Sequence, residues 1–428
     1  MAGMLAARVL ADHFTRVTVV ERDTLADSPS PRTGVPQARH THLLLLKGLQ
    51  ILETLFPGLE EELVADGAVV SDLYADARIL TPYGWMPQFR SGLRNVAMTR
   101  DFLEWHVRRR LLATPGVGVC AETTVTDFEA TPDRRRITGV QVTGVLPEVR
   151  SADLVVDASG RGSRTPHLLK RLGYTTPLET TVDSKSTYVT RWYEATPDDA
   201  ARWKFASLAE KQRTGMMLLV EDQRWLVSMI GKLPDHAPPR TEDGFLEFAR
   251  SLPDPLIYDT LRGSRPLGQV FASHSTASRR VRYDQLRLPD RLVVLGDAAC
   301  TFNPSYAQGM SVAALGAATL DACLRKQGLD NLTPVFQQRL AKVHRMPWLM
   351  ATSRDRSKPG GAKRGPASWV GKYVDTLFRL GVGDPAVLVV FSEVGHLIRS
   401  PIALFNATLL RKAARASIAE YRGAHDAH

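Results

Sequence analysis

The sequence predicts an α/β fold with an antiparallel sheet inserted into it and a helical region at its end. Three observations carry that expectation. A small-residue helix, Ala2–Leu10, turns into a β-branched strand, Val17–Val20, that stops on Glu21, which is the second half of a βαβ unit. Between residues 184 and 275 the pattern changes to longer alternating runs, such as 216–220 and 224–230, split by Glu221, Asp222 and Gln223, and that is hairpin chemistry. After Arg291 the α/β pattern returns, and beyond Arg345 the chain is largely helical.

Taken in order, the opening helix and strand lack their usual partner. In a dinucleotide-binding unit a first strand delivers G-x-G-x-x-G to the helix, and a carboxylate after the second strand bonds a ribose. Gly3 stands as the last of those glycines and Glu21 as that carboxylate, so the first strand and two phosphate-facing glycines are expected to precede Met1, in about ten residues. An ordinary helix-strand pair with a solvated Glu21 explains the same stretch. Helical periodicity follows at 42–55 and 101–112, and strands at 117–122, 137–142 and 153–157. A Gly/Pro/Lys-rich loop is expected at 358–366 and a break at Pro401.

The 428 residues are 44% hydrophobic and 23% charged, which sets disorder and fibrous classes aside. The net charge of +10 is scattered, and no aromatics alternate with the basic runs as a nucleic-acid platform requires. Three cysteines, Cys120, Cys300 and Cys323, stand far apart, which fits a reducing cytoplasm better than a disulfide framework. No apolar run is long enough to span a bilayer, and the cysteine spacing speaks against a structural zinc site.

The most informative stretch is "RLVVLGDAACTFNPSYAQGMSVAALGAATLDACL", residues 291–324. A buried strand stops at Gly296-Asp297, Pro304 stiffens the following loop, and a small-residue helix starts at Gly309. An aspartate at the end of a central parallel strand sits where ligands bind in such sheets, and a glycine-headed helix offers backbone N–H groups at its positive end. A second stretch, "ADLVVDASGRGSRTPHLL" at 152–169, carries Asp157, Gly160, Ser163 and Arg164 on a strand-turn-helix. Gly160 and Gly162 also allow a weak nicotinamide fingerprint there.

The first stretch resembles the G-D motif of the flavoprotein monooxygenases related to para-hydroxybenzoate hydroxylase and squalene epoxidase, and the second their D-G motif, with Ser159 where Asp is usual. The resemblance implies that Asp297, beside Gly296, meets the ribityl chain of FAD, and that Pro304, Gly309 and Met310 face the flavin. Cys300 for the usual His and Ala307 for the first glycine of G-Q-G are departures. "RTGVPQARHTHLLLLKGLQIL", residues 32–52, is similar to the corresponding loop of actinobacterial polyketide epoxidases of the lasalocid and monensin type. There Arg32, Gln37, Arg39, His40 and His42 offer donors to flavin oxygens or phosphates. Arg100, in "MTRDFLEWHVRRRLL", matches the family arginine near the cofactor, and Arg22 and Val125 join the cofactor set on the same resemblance.

The resemblance implies an FAD-binding domain at 1–178 and 280–345, a substrate-binding sheet domain at 179–279 and a helical region at 346–428. It implies a monooxygenase of secondary metabolism in which NAD(P)H reduces FAD transiently and O2 yields a flavin hydroperoxide that epoxidises or hydroxylates an apolar polyketide, terpenoid or aromatic. Trp192, Trp225 and Met229 are the expected substrate-facing residues, with a place in the sheet's core as the alternative for each. The apolar stretch 386–410 is expected to wall a tunnel or touch a membrane surface. A flavin-dependent double-bond reductase and a non-catalytic ligand-binding relic are rival readings.

Overall fold

The computed structural model describes residues 1–144, 148–210, 212–274, 276–355 and 366–425. Its opening helix, Ala2–Leu10, buries Leu5, Ala6, Ala7 and Val9. The alanines bring it close to a second small-residue helix, Gly309–Gln327, which presents Ala314 and Ala317 to the same core. Val17–Val20 pairs in parallel with Val117–Cys120. Separately, Val155–Asp157 pairs in parallel with Leu292–Val294. That second pairing joins segments from either side of the inserted sheet. Leu292, Val293, Val294 and Leu295 are fully buried, as a strand covered on both faces should be.

The inserted sheet has seven strands, in the order Pro266–Ser273, Ser186–Glu194, Arg224–Lys232, Arg213–Val220, Phe205–Glu210, Ala77–Thr81 and Gly84–Trp85. The expected hairpin is present: 213–220 and 224–232 are antiparallel, and Asp222 (φ 60°) and Gln223 (φ 52°) take the left-handed conformation of its turn. The sheet is larger than 179–279 supplies, because Ala77–Thr81 adds in parallel to Phe205–Glu210. The strands at Glu179–Val182 and Ser278–Val281 form a separate three-stranded sheet with Cys300–Thr301.

One face of the seven-stranded sheet is closed by the helices Glu242–Arg250 and Leu256–Arg262, through Phe245, Phe248 and Ile257. The other looks toward residues 40–48 and the C-terminal helices. Ile79 and Met86 pack with Phe378, Val382 and Leu388, and the Tyr74 hydroxyl meets Ser392 Oγ at 2.7 Å. Within 386–410, Val387, Leu388, Val394 and Leu404 are therefore packed residues. The loop expected at 358–366 lies outside the described residues except for Pro366, where the helix Pro366–Leu380 begins.

Helix periodicity at 42–55 overshoots by four residues. The helix is Leu46–Leu55, because 40–42 are held otherwise: His40 Nδ1 meets Thr190 Oγ1 at 2.8 Å, and Thr41 Oγ1 meets Ser228 Oγ at 2.8 Å. Side-chain bonds to the sheet outweigh the local periodic pattern.

Candidate functional site

The site forms where three chain segments end together. Leu292–Val294 delivers Gly296 and Asp297; the Arg100–Leu112 helix, capped by Thr99, delivers Arg100 and Glu104; the 40–45 segment delivers His42. Gly296 has φ +64°, and a Cβ there would stand 2.5 Å from the Ala2 Cβ. Glycine is needed on both counts. A Cβ on Gly3 would touch the Ala158 Cβ at 3.4 Å, so the opening helix lies against the strand end that carries Asp157.

Asp297 is half-buried, and its carboxylate accepts no hydrogen bond among the described residues. Loss of water raises its pKa above the ordinary carboxylate value, against the pull of Arg100, Arg161 and the Met1 amino group. Glu104 contrasts with it. Burial pushes Glu104 up, but the Met1 amino group, Arg100 and Arg32 bring it down to about 2. Arg100 Nη2 donates to Glu104 at 3.0 Å. Arg32 bridges Glu104 and Glu21, with the Glu21 contact at 2.8 Å.

His42 Nδ1 lies 2.9 Å from the His40 carbonyl. A carbonyl only accepts, so the proton sits on Nδ1. Burial, helped by Arg100, lowers His42 to about 4. At neutral pH its Nε2 therefore offers a lone pair. His40 is likewise held to about 4 by burial and Arg39, and it joins a chain of hydroxyls in which Thr190 and Ser228 stand 2.7 Å apart.

The remaining expected residues divide by position. Pro304 starts the turn Pro304–Tyr306, and Met310 is buried in the first turn of the helix headed by Gly309. Gly309 and Gly160 each have open space where a Cβ would point. Gln308 Oε1, just before that helix, is buried without a partner. Val125 is the second residue of the strand Thr124–Ala130, two positions after Thr123, whose N–H donates to the Glu21 carbonyl at 2.9 Å. Arg22 is exposed beside Asp23, and Arg164 precedes the helix Thr165–Arg171. Gln37 is exposed, and Arg39 stacks over Phe271 at 4.9 Å. The Asp157 carboxylate is engaged within its own loop by Ser159 N–H, Ser159 Oγ, Ser163 Oγ and Thr165 Oγ1. It organises the turn.

Two expected substrate residues are corrected. Trp225 and Met229 are fully buried on the far face of the sheet, where Trp225 stacks on Trp203 at 4.5 Å under the covering helices. Strand alternation puts Thr190, Trp192, Leu226 and Ser228 on the face toward the site. Trp192 is half-buried there, packing near Ala97, Leu218 and Leu226. Tyr188, on the same face, donates to Asn303 Oδ1 at 3.1 Å. Glu104 was legible as the i+4 partner of Arg100; Arg161, Thr190 and Ser228 had no signal in the sequence.

The donor set fits FAD. Asp297 is a carboxylate without a hydrogen bond among the described residues, Glu21 closes a β-strand at the place where a ribose would be held, and nothing lies within 4 Å of where a Cβ on Gly309 would point at its helix start.

No family model matches the chain. It is 34% identical over 375 residues to protein Rv3254 of Mycobacterium tuberculosis, covering 83% of this chain and 78% of that one. Among solved structures it resembles PqsL, a probable FAD-dependent monooxygenase from Pseudomonas aeruginosa, with TM-score 0.59 and 17% identity over 83% of this chain and 95% of that one. It also resembles the myxobacterial chondrochloren halogenase CndH, a variant of FAD-dependent halogenases, with TM-score 0.60 and 15% identity over 94% and 96% of the two chains. The chain thus belongs to the family of protein Rv3254, and its fold is the one shared by FAD-dependent monooxygenases and flavin-dependent halogenases.

Proposed function

We propose that the chain is an FAD-dependent oxidoreductase that uses NAD(P)H and O2 to place one oxygen atom on an apolar small molecule of polyketide, terpenoid or aromatic type, giving an epoxide or alcohol. The observation that supports this most is Asp297, a half-buried carboxylate at a parallel strand end, without a hydrogen bond among the described residues and beside the open start of the Gly309–Gln327 helix.

FAD, when bound, supplies the electron transfer and the activation of O2. The chain's own residues then have separate tasks. Asp297 accepts from a ribityl hydroxyl, Glu21 from a ribose hydroxyl, and the Gly309 helix end offers N–H donors to the flavin ring. Arg100 carries positive charge into the site while Glu104 keeps it oriented. Thr190, Trp192 and Leu226 present a mixed but mostly apolar wall, and the C-terminal helices exclude water from the sheet face.

Flavin content of the purified protein, read from its absorbance spectrum, is the first test. Asp297→Ala is expected to weaken FAD binding by about 1.5 to 3 kcal/mol, roughly ten- to 150-fold; equal flavin retention in mutant and parent removes Asp297 from the site. Mass spectrometry with labelled O2 separates the chemistry. One labelled oxygen in the product supports the reading, two added hydrogens make the enzyme a double-bond reductase, and no NAD(P)H consumption makes it a binding protein.

A further inference from the structure

The C-terminal helix Ala407–His425 has two apolar faces and only one of them is packed. Leu409 and Ala413 are buried with Leu377, Val387 and Val394. Leu410 and Ile418 are 44% and 54% exposed. At about 100° per residue, Ala407, Leu410, Ala414 and Ile418 lie within roughly a quadrant, whose centre is turned about 120° from that of the packed face. Arg411 and Arg415, both exposed, fall on the next strip. Immediately before the helix, Ile402 is 79% and Phe405 42% exposed. Phe405 stacks on Tyr373 at 5.1 Å, and Val370, one turn earlier on the same helix as Tyr373, is 45% exposed.

The exposed charges described on these helices include Arg411, Arg415 and Lys372. Among the described residues Arg411 bonds only the carbonyl of Ala407 in its own helix. Three carboxylates of these helices whose side chains are described are engaged elsewhere, Asp384 by Lys412, Glu393 by Arg399 and Asp375 by the Tyr83 hydroxyl, and the C-terminal helix also carries Glu420. No helix among the described residues is long and apolar enough to cross a membrane. The geometry is that of a helix lying in a lipid interface, with apolar side chains inward and arginines at headgroup level.

We propose that this face, Ile402, Phe405, Leu410 and Ile418 flanked by Arg411 and Arg415, docks the protein on the surface of an anionic phospholipid bilayer. A second copy of the chain fits less well, because a two-fold pairing through this strip sets arginines against arginines. The proposal stands independently of the flavin reading.

The test is co-sedimentation of the full chain with vesicles of phosphatidylcholine alone and of equal parts phosphatidylcholine and phosphatidylglycerol. The parent is expected to pellet with the anionic vesicles and to be released by salt. Arg411→Gln with Arg415→Gln should weaken partitioning roughly thirtyfold, about fivefold per charge. Leu410→Glu with Ile418→Glu should abolish it. Both variants keep the parent's melting temperature, since all four side chains are exposed. A parent that stays in the supernatant overturns the proposal. So does binding unaffected by either variant, or sedimentation velocity showing a dimer that the same substitutions dissociate.

Discussion

Single residues around the candidate site carry opposite kinds of stress. Ala307 stands where a glycine is usual, and its backbone is left-handed, φ 52° and ψ 22°. An L-residue there costs about 1 to 2 kcal/mol, while glycine loses about 0.5 to 1 kcal/mol more unfolded-state freedom. Ala307→Gly is therefore expected to stabilise the chain by about 0.5 kcal/mol, read as a higher urea midpoint at unchanged slope. Glu104 is a different case. Its folded pKa of about 2 lies below the ordinary 4.5, so its contribution is fully present above pH 4.5 and fades as pH falls toward 2. Up to about 3 kcal/mol is involved. Urea titrations across that window should show a steeper acid loss for the parent than for Glu104→Gln, which starts less stable because Arg32 and Arg100 lose their shared partner.

At the scale of elements, the sheet shows what a sequence can and cannot disclose. Strand 224–232 and its hairpin were legible, since alternation and the polar turn are local properties. Which face looks inward was not. Period-two alternation defines two faces equally well, and the choice rests on Phe245 and Ile257 arriving from helices later in the chain to cover one of them. Hence Trp225 and Met229 looked like pocket residues and are core. The difference is measurable. Trp225→Ala should cost about 3 to 5 kcal/mol in unfolding free energy with the substrate preference of the remaining folded enzyme unchanged. Trp192→Ala, at a half-buried position, should cost less and change substrate preference, seen as altered kcat/KM ratios across a panel of apolar alkenes. The Asp297 strand end was legible for the converse reason: strand, glycine, aspartate and helix-start glycine are contiguous, so no distant segment is needed to define them. The 40–45 segment lay between these cases. Its donors could be named, but the bonds of His40 and Thr41 to Thr190 and Ser228 join residues about 150 to 190 positions apart, beyond any local pattern.

For the whole molecule, the link that matters is at Glu221. This buried carboxylate, in the turn of the sheet's hairpin, accepts from Thr99 N–H at 2.9 Å, from Thr99 Oγ1 at 2.6 Å and from Arg224 Nη2 at 3.1 Å. Thr99 is also the cap of the helix that begins with Arg100. The sheet hairpin and the cofactor-side helix thus share one hydrogen-bonded joint, and neither loosens alone. On the proposed FAD reading thermodynamic reciprocity then applies: whatever FAD would gain by finding Arg100 in place, it would return as resistance to opening in the hairpin. Added FAD should slow amide hydrogen exchange in strands Arg213–Val220 and Arg224–Lys232, which contribute none of the residues proposed to hold FAD. In Glu221→Gln, with the charge gone from the joint, that remote protection should shrink together with FAD affinity; full protection in the variant would mean that the two halves of the molecule are coupled by another route.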